Sequence, residues 1–225
     1  MKIPRGWMTN VLVLACSASF VLTYLLGDFN QTAIACGFIP ARVADPSIFH
    51  MVDGAPDWAV PVWLTPISSL LVHGGWLHII FDMAFLFVCG RFAEHVFGPW
   101  LTLAIFLLGA YGAAIVQWAV GPGEMAPVMG TAGAISALIG VNALLYSNQK
   151  VKALGPLSAN MVRIIWLAAA WIALNIMLEI AVGAPRGLFG FGNSGTGTSV
   201  GGFIAGLLLT RPMLHLRFGR VKAVS

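Results

Sequence analysis

The stretch His73-Gly-Gly-Trp-Leu-His78-Ile-Ile-Phe-Asp82 sets two imidazoles and a carboxylate close together in an otherwise apolar run. On a helix starting near Gly75, His78 and Asp82 stand one turn apart on the same face, with His73 just before them. Charged and imidazole groups are costly inside a bilayer, so each marks a functional candidate by default. Two histidines and a carboxylate are competent metal ligands, but a five-residue gap between the histidines is not a helical ligand spacing and no fourth ligand is evident. We expect no metal and no cofactor here, but a His-Asp hydrogen bond that satisfies two costly groups. A second stretch, Gly130-Thr-Ala-Gly-Ala-Ile-Ser136, has the form of a glycine-flanked nucleophile turn opening an apolar helix, with the methyl group of Ala132 where a hydroxyl would act. Arg91 and Glu94 read as a structural charge pair at the far end of the His78 helix. Glu179 reads as a side chain reaching the membrane interface.

These residues have to be positioned by a membrane protein. Of the 225 residues, 59% are hydrophobic and 9% charged, with a mean hydropathy of +0.88, far from soluble composition. Apolar runs near 7–27, 76–97, 99–120, 130–147, 161–182 and 198–216 predict six transmembrane helices, hence an all-α fold in one membrane domain. The first run is longer than the core of a signal peptide and lacks a clear cleavage site, so it reads as a retained helix. Ten basic residues fall on the side of the termini and two, Arg42 and Arg186, on the other. By the positive-inside rule both termini are cytoplasmic. These charges are spread over membrane-edge loops without a binding motif, so no nucleic-acid partner is expected. Cys16, Cys36 and Cys89 read as packing residues.

The connection from Asp28 to about Gly75 carries five prolines among aromatic residues. Its Trp58, Trp63, Ile67, Leu70 and Leu71 would suit either a segment lying in the outer leaflet or an ordinary aromatic belt. Gly183 to Gly197 holds six glycines in fifteen residues and reads as a lid or a slack connector. Gly133, Ser136, Ala137 and Gly140 form a small-residue stripe, and Gly202-Phe-Ile-Ala-Gly206 is a Gly-x-x-x-Gly pattern. Such stripes let two helices meet backbone to backbone, which would bring Ala132 and Ser199 near one another.

Taken together these motifs resemble the rhomboid family of intramembrane serine proteases, from about Pro61 to Leu209. The His73 to Met83 stretch resembles the family's two histidines followed by Asn-Met. Gly90-Arg-Phe-Ala-Glu94-His-Val-Phe-Gly98 resembles its Gly, Glu, Gly run, and Gly130-Thr-Ala-Gly133 its Gly-x-Ser-Gly motif. Thr198-Ser199-Val-Gly201-Gly202 resembles its Ala-His-x-Gly-Gly stretch. The resemblance implies a six-helix bundle with a water-filled cavity open to the outside. It also implies a division into residues 1–60 (first helix and start of the long loop), a rhomboid-like core over 61–209 and a basic tail over 210–225. In active members a serine attacks the peptide bond, a histidine is its base, and a His and an Asn stabilise the oxyanion. Here those positions are Ala132, Ser199, His78 and Asp82.

Alanine offers no nucleophile, a serine hydroxyl is no base near neutral pH, and an ionised Asp82 opposes a developing oxyanion. The expectation is a pseudoprotease that binds transmembrane helices of client proteins amid membrane lipid, with Gly130, Gly133, His73, His78 and Asp82 lining the degenerate site. Three alternatives stay open: a protease with relocated groups such as Ser136 or Ser199, a knockout engineered at Ala132, and a small transporter using His78, Asp82 and Glu179. Self-association is also left open, and a bacterial inner membrane is the expected location.

Overall fold

The computed structural model describes residues 3–146, 156, 158–181 and 196–219. The chain starts with α1 (Trp7–Leu26), an apolar helix bounded by Gly6 and Gly27. The long connection then folds on its own: α2 (Phe29–Cys36), whose first N–H groups are capped by Asp28, is followed by α3 (Ala41–Ala44) and α4 (Thr65–Ser68). Ile34, Ile39, Ala41 and Phe49 give this unit a small core, with the guanidinium of Arg42 over the Phe49 ring. Arg42 is buried, which pulls its pKa below the usual arginine value. Trp58, Trp63 and Leu71 are exposed, whereas Leu70 is buried in the bundle core. Leu70 therefore departs from the set of residues read as a lipid-facing segment, because its carbonyl accepts from Cys16 Sγ of α1 at 3.5 Å.

Four further long helices and one short one complete the bundle: α5 (Trp76–Phe97), α6 (Pro99–Val120), α7 (Ala132–Leu145), α8 (Ala159–Ala181) and α9 (Thr196–Phe218). Together with α1 they form the expected all-α, six-helix membrane bundle. Among the described residues, Trp7–Leu25, Trp76–Phe97, Pro99–Val120 and Gly197–Phe218 are long and apolar enough to cross a membrane. The fourth predicted span is shorter than read. α7 has 14 residues, about 21 Å of helix against a hydrocarbon core of about 30 Å. It begins at Ala132 because the polypeptide before it is extended and pinned elsewhere: Phe38 and Val128 exchange two backbone hydrogen bonds, Glu124 accepts from Ala41 N, and Gly130 N donates to Ser69 O at 2.9 Å. The long connection thus fixes where α7 starts.

α7 is the axis of the molecule, in contact with α5, α6, α8 and α9, and nearly every residue from Gly133 to Val141 is buried. The small-residue stripes do what their spacing requires. A Cβ on Gly140 would lie 2.5 Å from Phe203 O, and one on Gly202 or Gly206 would overlap the carbonyls of Gly133 or Ala137. α8 is latched to α7 by Trp171 Nε1, which donates to Ser136 Oγ at 2.5 Å, and it meets α5 where the Phe85 and Trp171 rings cross.

The first turn of α1 and the last turn of α9 come to the same end of the bundle, where Arg217 lies beside the backbone of Gly98 and Glu94 meets the start of α1. α9 runs unbroken to Phe218, so the expected tail at 210 begins as helix. The expected Arg91–Glu94 pair is not formed. Both oxygens of Glu94 accept from α1, Oε1 from Met8 N and Oε2 from Thr9 N and Oγ1, while Arg91 donates to Asn10 Oδ1 and stacks on Phe87. Uncovered N–H groups at a buried helix start outbid a neighbouring cation for this carboxylate. The three cysteines are free thiols.

Candidate functional site

α5 and the start of α7 bring the chemistry-bearing residues together. Asp82, 3% exposed, points from α5 at the residue preceding α7: Thr131 donates to Asp82 Oδ2 from its backbone N at 2.9 Å and from Oγ1 at 2.8 Å. His73 Nε2 lies 3.6 Å and His78 Nε2 3.5 Å from the same oxygen. Four groups thus converge on Oδ2, whereas Oδ1 takes no hydrogen bond from the described residues. His78 Nδ1 accepts from Gly74 N at 3.3 Å, which leaves Nε2 as the protonated nitrogen of the neutral ring, facing Asp82. The His73 ring is buried, and neither of its nitrogens has a hydrogen-bond partner.

Gly130 closes this group. Its φ is +96°, a conformation that favours glycine, and a Cβ there would lie 2.6 Å from His78 Nε2 and 3.4 Å from Asp82 Oδ2. Gly133, one turn on, faces α6 and α9, where a Cβ would meet Ala113 at 2.6 Å and Thr198 at 3.4 Å. Ser199, next in α9, is fully buried and its Oγ has no hydrogen-bond partner. The predicted site residues Gly130, Gly133, His73, His78 and Asp82 therefore do gather at the start of α7, against the segment of α9 that carries Ser199. The expected His-Asp contact is present, but the closest bonds of Asp82 go to Thr131.

Thr131 lies beside Ala132 as a candidate replacement hydroxyl, and its bond to Asp82 is the part that sequence reasoning misses. A threonine immediately before a helix is an ordinary N-cap, yet here it makes no cap of its own and gives both its protons to Asp82. Ser136 was weighed as a relocated nucleophile. Its single proton goes to Ala132 O at 2.6 Å and its oxygen accepts from Trp171, so it is a helix-packing hydroxyl. The expected lid at 183–197 lies mostly outside the described residues, as does the side chain of Glu179.

The arrangement determines what the site can do. An oxyanion-stabilising site needs free donors aimed where negative charge develops. Here the Thr131 N–H and O–H are already taken by a fixed anion. Two like unit charges about 4 Å apart repel by about 4 kcal/mol at an effective dielectric constant of about 20, roughly three powers of ten in rate.

Comparison with known proteins adds two findings. The family description "Rhomboid domain" matches residues 61–216, more than half of the chain. A curated relative, "Rhomboid-like protein 11, chloroplastic" of Arabidopsis thaliana, is 30% identical over 88 residues, which cover 38% of this chain and 30% of that protein. The chain thus spans under a third of the length of the relative it matches.

Proposed function

From the premise that the chain belongs to the rhomboid family, we propose that it is a catalytically silent member that binds transmembrane helices of client proteins without cutting them. The observation that carries this reading is the bond between Asp82 and Thr131, at 2.9 and 2.8 Å, directly before the methyl group of Ala132. It turns the region where the resemblance puts transition-state stabilisation into a helix cap. The nearby hydroxyls of Thr131 and Ser136 spend their protons on Asp82 and on Ala132 O, so neither is presented to an imidazole as a nucleophile. The bundle itself is kept, with its close α7–α9 seam, and α8 meets α5 at the Phe85–Trp171 ring contact, which a client helix could part.

The basic residues orient the site toward the outside of the membrane, with both termini cytoplasmic. A bacterial inner membrane is the proposed location, supported by the compact six-helix form; the Arabidopsis relative is named chloroplastic. Membrane lipid and client helices are the proposed partners, self-association is compatible with the exposed apolar helix faces, and no nucleic acid is involved. The test is co-purification from membranes with a tagged single-span reporter. The reporter should be retained and uncut. Cleavage that disappears in a His78→Ala or Asp82→Ala variant would overturn the proposal.

A further inference from the structure

Resting on that client-binding reading, we infer that the site selects client helices carrying a basic side chain near their external end, with Asp82 Oδ1 as the acceptor. Two observations point to this chemistry. The first is the balance of donors and acceptors. The Thr131 N–H and O–H, which would have received an electron-rich atom, are both turned onto Asp82 Oδ2, and Oδ1 is left without a hydrogen bond. With both Thr131 donors spent on Oδ2, the second carboxylate oxygen is an acceptor that a cationic donor from outside the chain can take. Position agrees, since Asp82 is six residues into α5, about 9 Å below its outer end. That depth suits a lysine or arginine placed one to two turns inside a client span, a group that is otherwise costly in lipid.

The second observation is the charge of the outer face. Asp28, Asp45, Asp53 and Asp57 of the long connection are exposed, whereas its Arg42 is buried with Nε and Nη1 unpartnered and Nη2 given to Val60 O. Among the described residues the exposed carboxylates of the long connection are thus not balanced by an exposed arginine or lysine of that connection. They attract a basic segment and repel an acidic one before contact.

The experiment uses the full chain in liposomes and three reporter helices that differ at one position, one to two turns from the external end, where they carry Leu, Lys or Glu. Affinity is read by energy transfer between labelled chain and reporter. The Lys helix should bind about tenfold more tightly than the Leu helix, and the Glu helix more weakly than either. Lys and Leu helices that bind alike would overturn the inference while leaving client binding standing, whereas no binding of any helix would overturn both. In Asp82→Asn the Lys-to-Leu affinity ratio should fall to about one, and its persistence would overturn the assignment to Asp82. Asp53→Asn with Asp57→Asn changes only the exposed loop. Complete loss of the Lys-to-Leu ratio in that variant would likewise overturn the role of Asp82; the expected result is slower association of the Lys helix with most of the ratio retained.

Discussion

The two ends of α5 solve the same problem with the same chemistry. Near one end Glu94 Oε2 accepts from the backbone N and the hydroxyl of Thr9 at 2.8 and 2.7 Å; near the other, Asp82 Oδ2 accepts from the backbone N and the hydroxyl of Thr131 at 2.9 and 2.8 Å. Each carboxylate holds the start of a neighbouring helix, α1 in one case and α7 in the other. They differ in what is left over. Glu94 commits its second oxygen to Met8 N at 3.0 Å, and among the described residues it forms no ion pair with a histidine. Asp82 keeps Oδ1 unbonded and has two imidazoles beside it. One end is a closed staple. The other is a staple set into the remains of an active site, and that surplus polarity separates a structural cap from a binding site.

The comparison can be broken most forcefully by restoring chemistry. With Ala132→Ser and Ser199→His introduced together, adding Asp82→Asn should raise the rate of fluorophosphonate labelling by roughly three powers of ten, the equivalent of removing about 4 kcal/mol of charge repulsion. Equal rates with Asp and Asn would mean that the carboxylate does not oppose the reaction. The closed end should dominate stability. Glu94→Ala strands three donors at a buried helix start and should cost roughly 3 kcal/mol in detergent unfolding. Asp82→Ala strands two and should cost roughly 2 kcal/mol, most of it recovered by Asp82→Asn, whose carbonyl oxygen can still accept from Thr131. The smallest effect sharpens the parallel: Thr9→Val and Thr131→Val each remove one hydroxyl donor and should each cost about 1 kcal/mol. A large inequality between them would show that the two caps are not equivalent.

Much of this was legible in the sequence because it rests on periodicity and residue size. Helix ends at Trp76, Phe97, Pro99 and Val120 coincide with the apolar runs, and the glycines 133, 140, 202 and 206 announce a seam that only small residues allow. The grouping of His73, His78 and Asp82 is legible in helical spacing, whereas Gly130, some fifty positions away, joins them only through the family resemblance, because residues so far apart have no local signal of contact. What escaped was the partner of each carboxylate. Glu94 sits three residues from Arg91, and sequence proximity suggested a pair. The N–H groups of Met8 and Thr9 that claim it belong to a distant helix, and backbone donors leave no trace in residue types. Thr131 escaped for the same reason. α7 is shorter than the predicted span because the bonds of Phe38 and Ser69 to the segment ahead of it fix where the helix begins, and backbone bonds of this kind leave no mark on residue types.

The most direct test of the central claim is mass-spectrometric mapping of the unaltered full chain in liposomes after exposure to a fluorophosphonate probe. The account predicts no adduct at any serine or threonine, with Thr131 and Ser136 holding their protons against Asp82 and Ala132 O. A stoichiometric adduct on Thr131, Ser136 or Ser199 would contradict it.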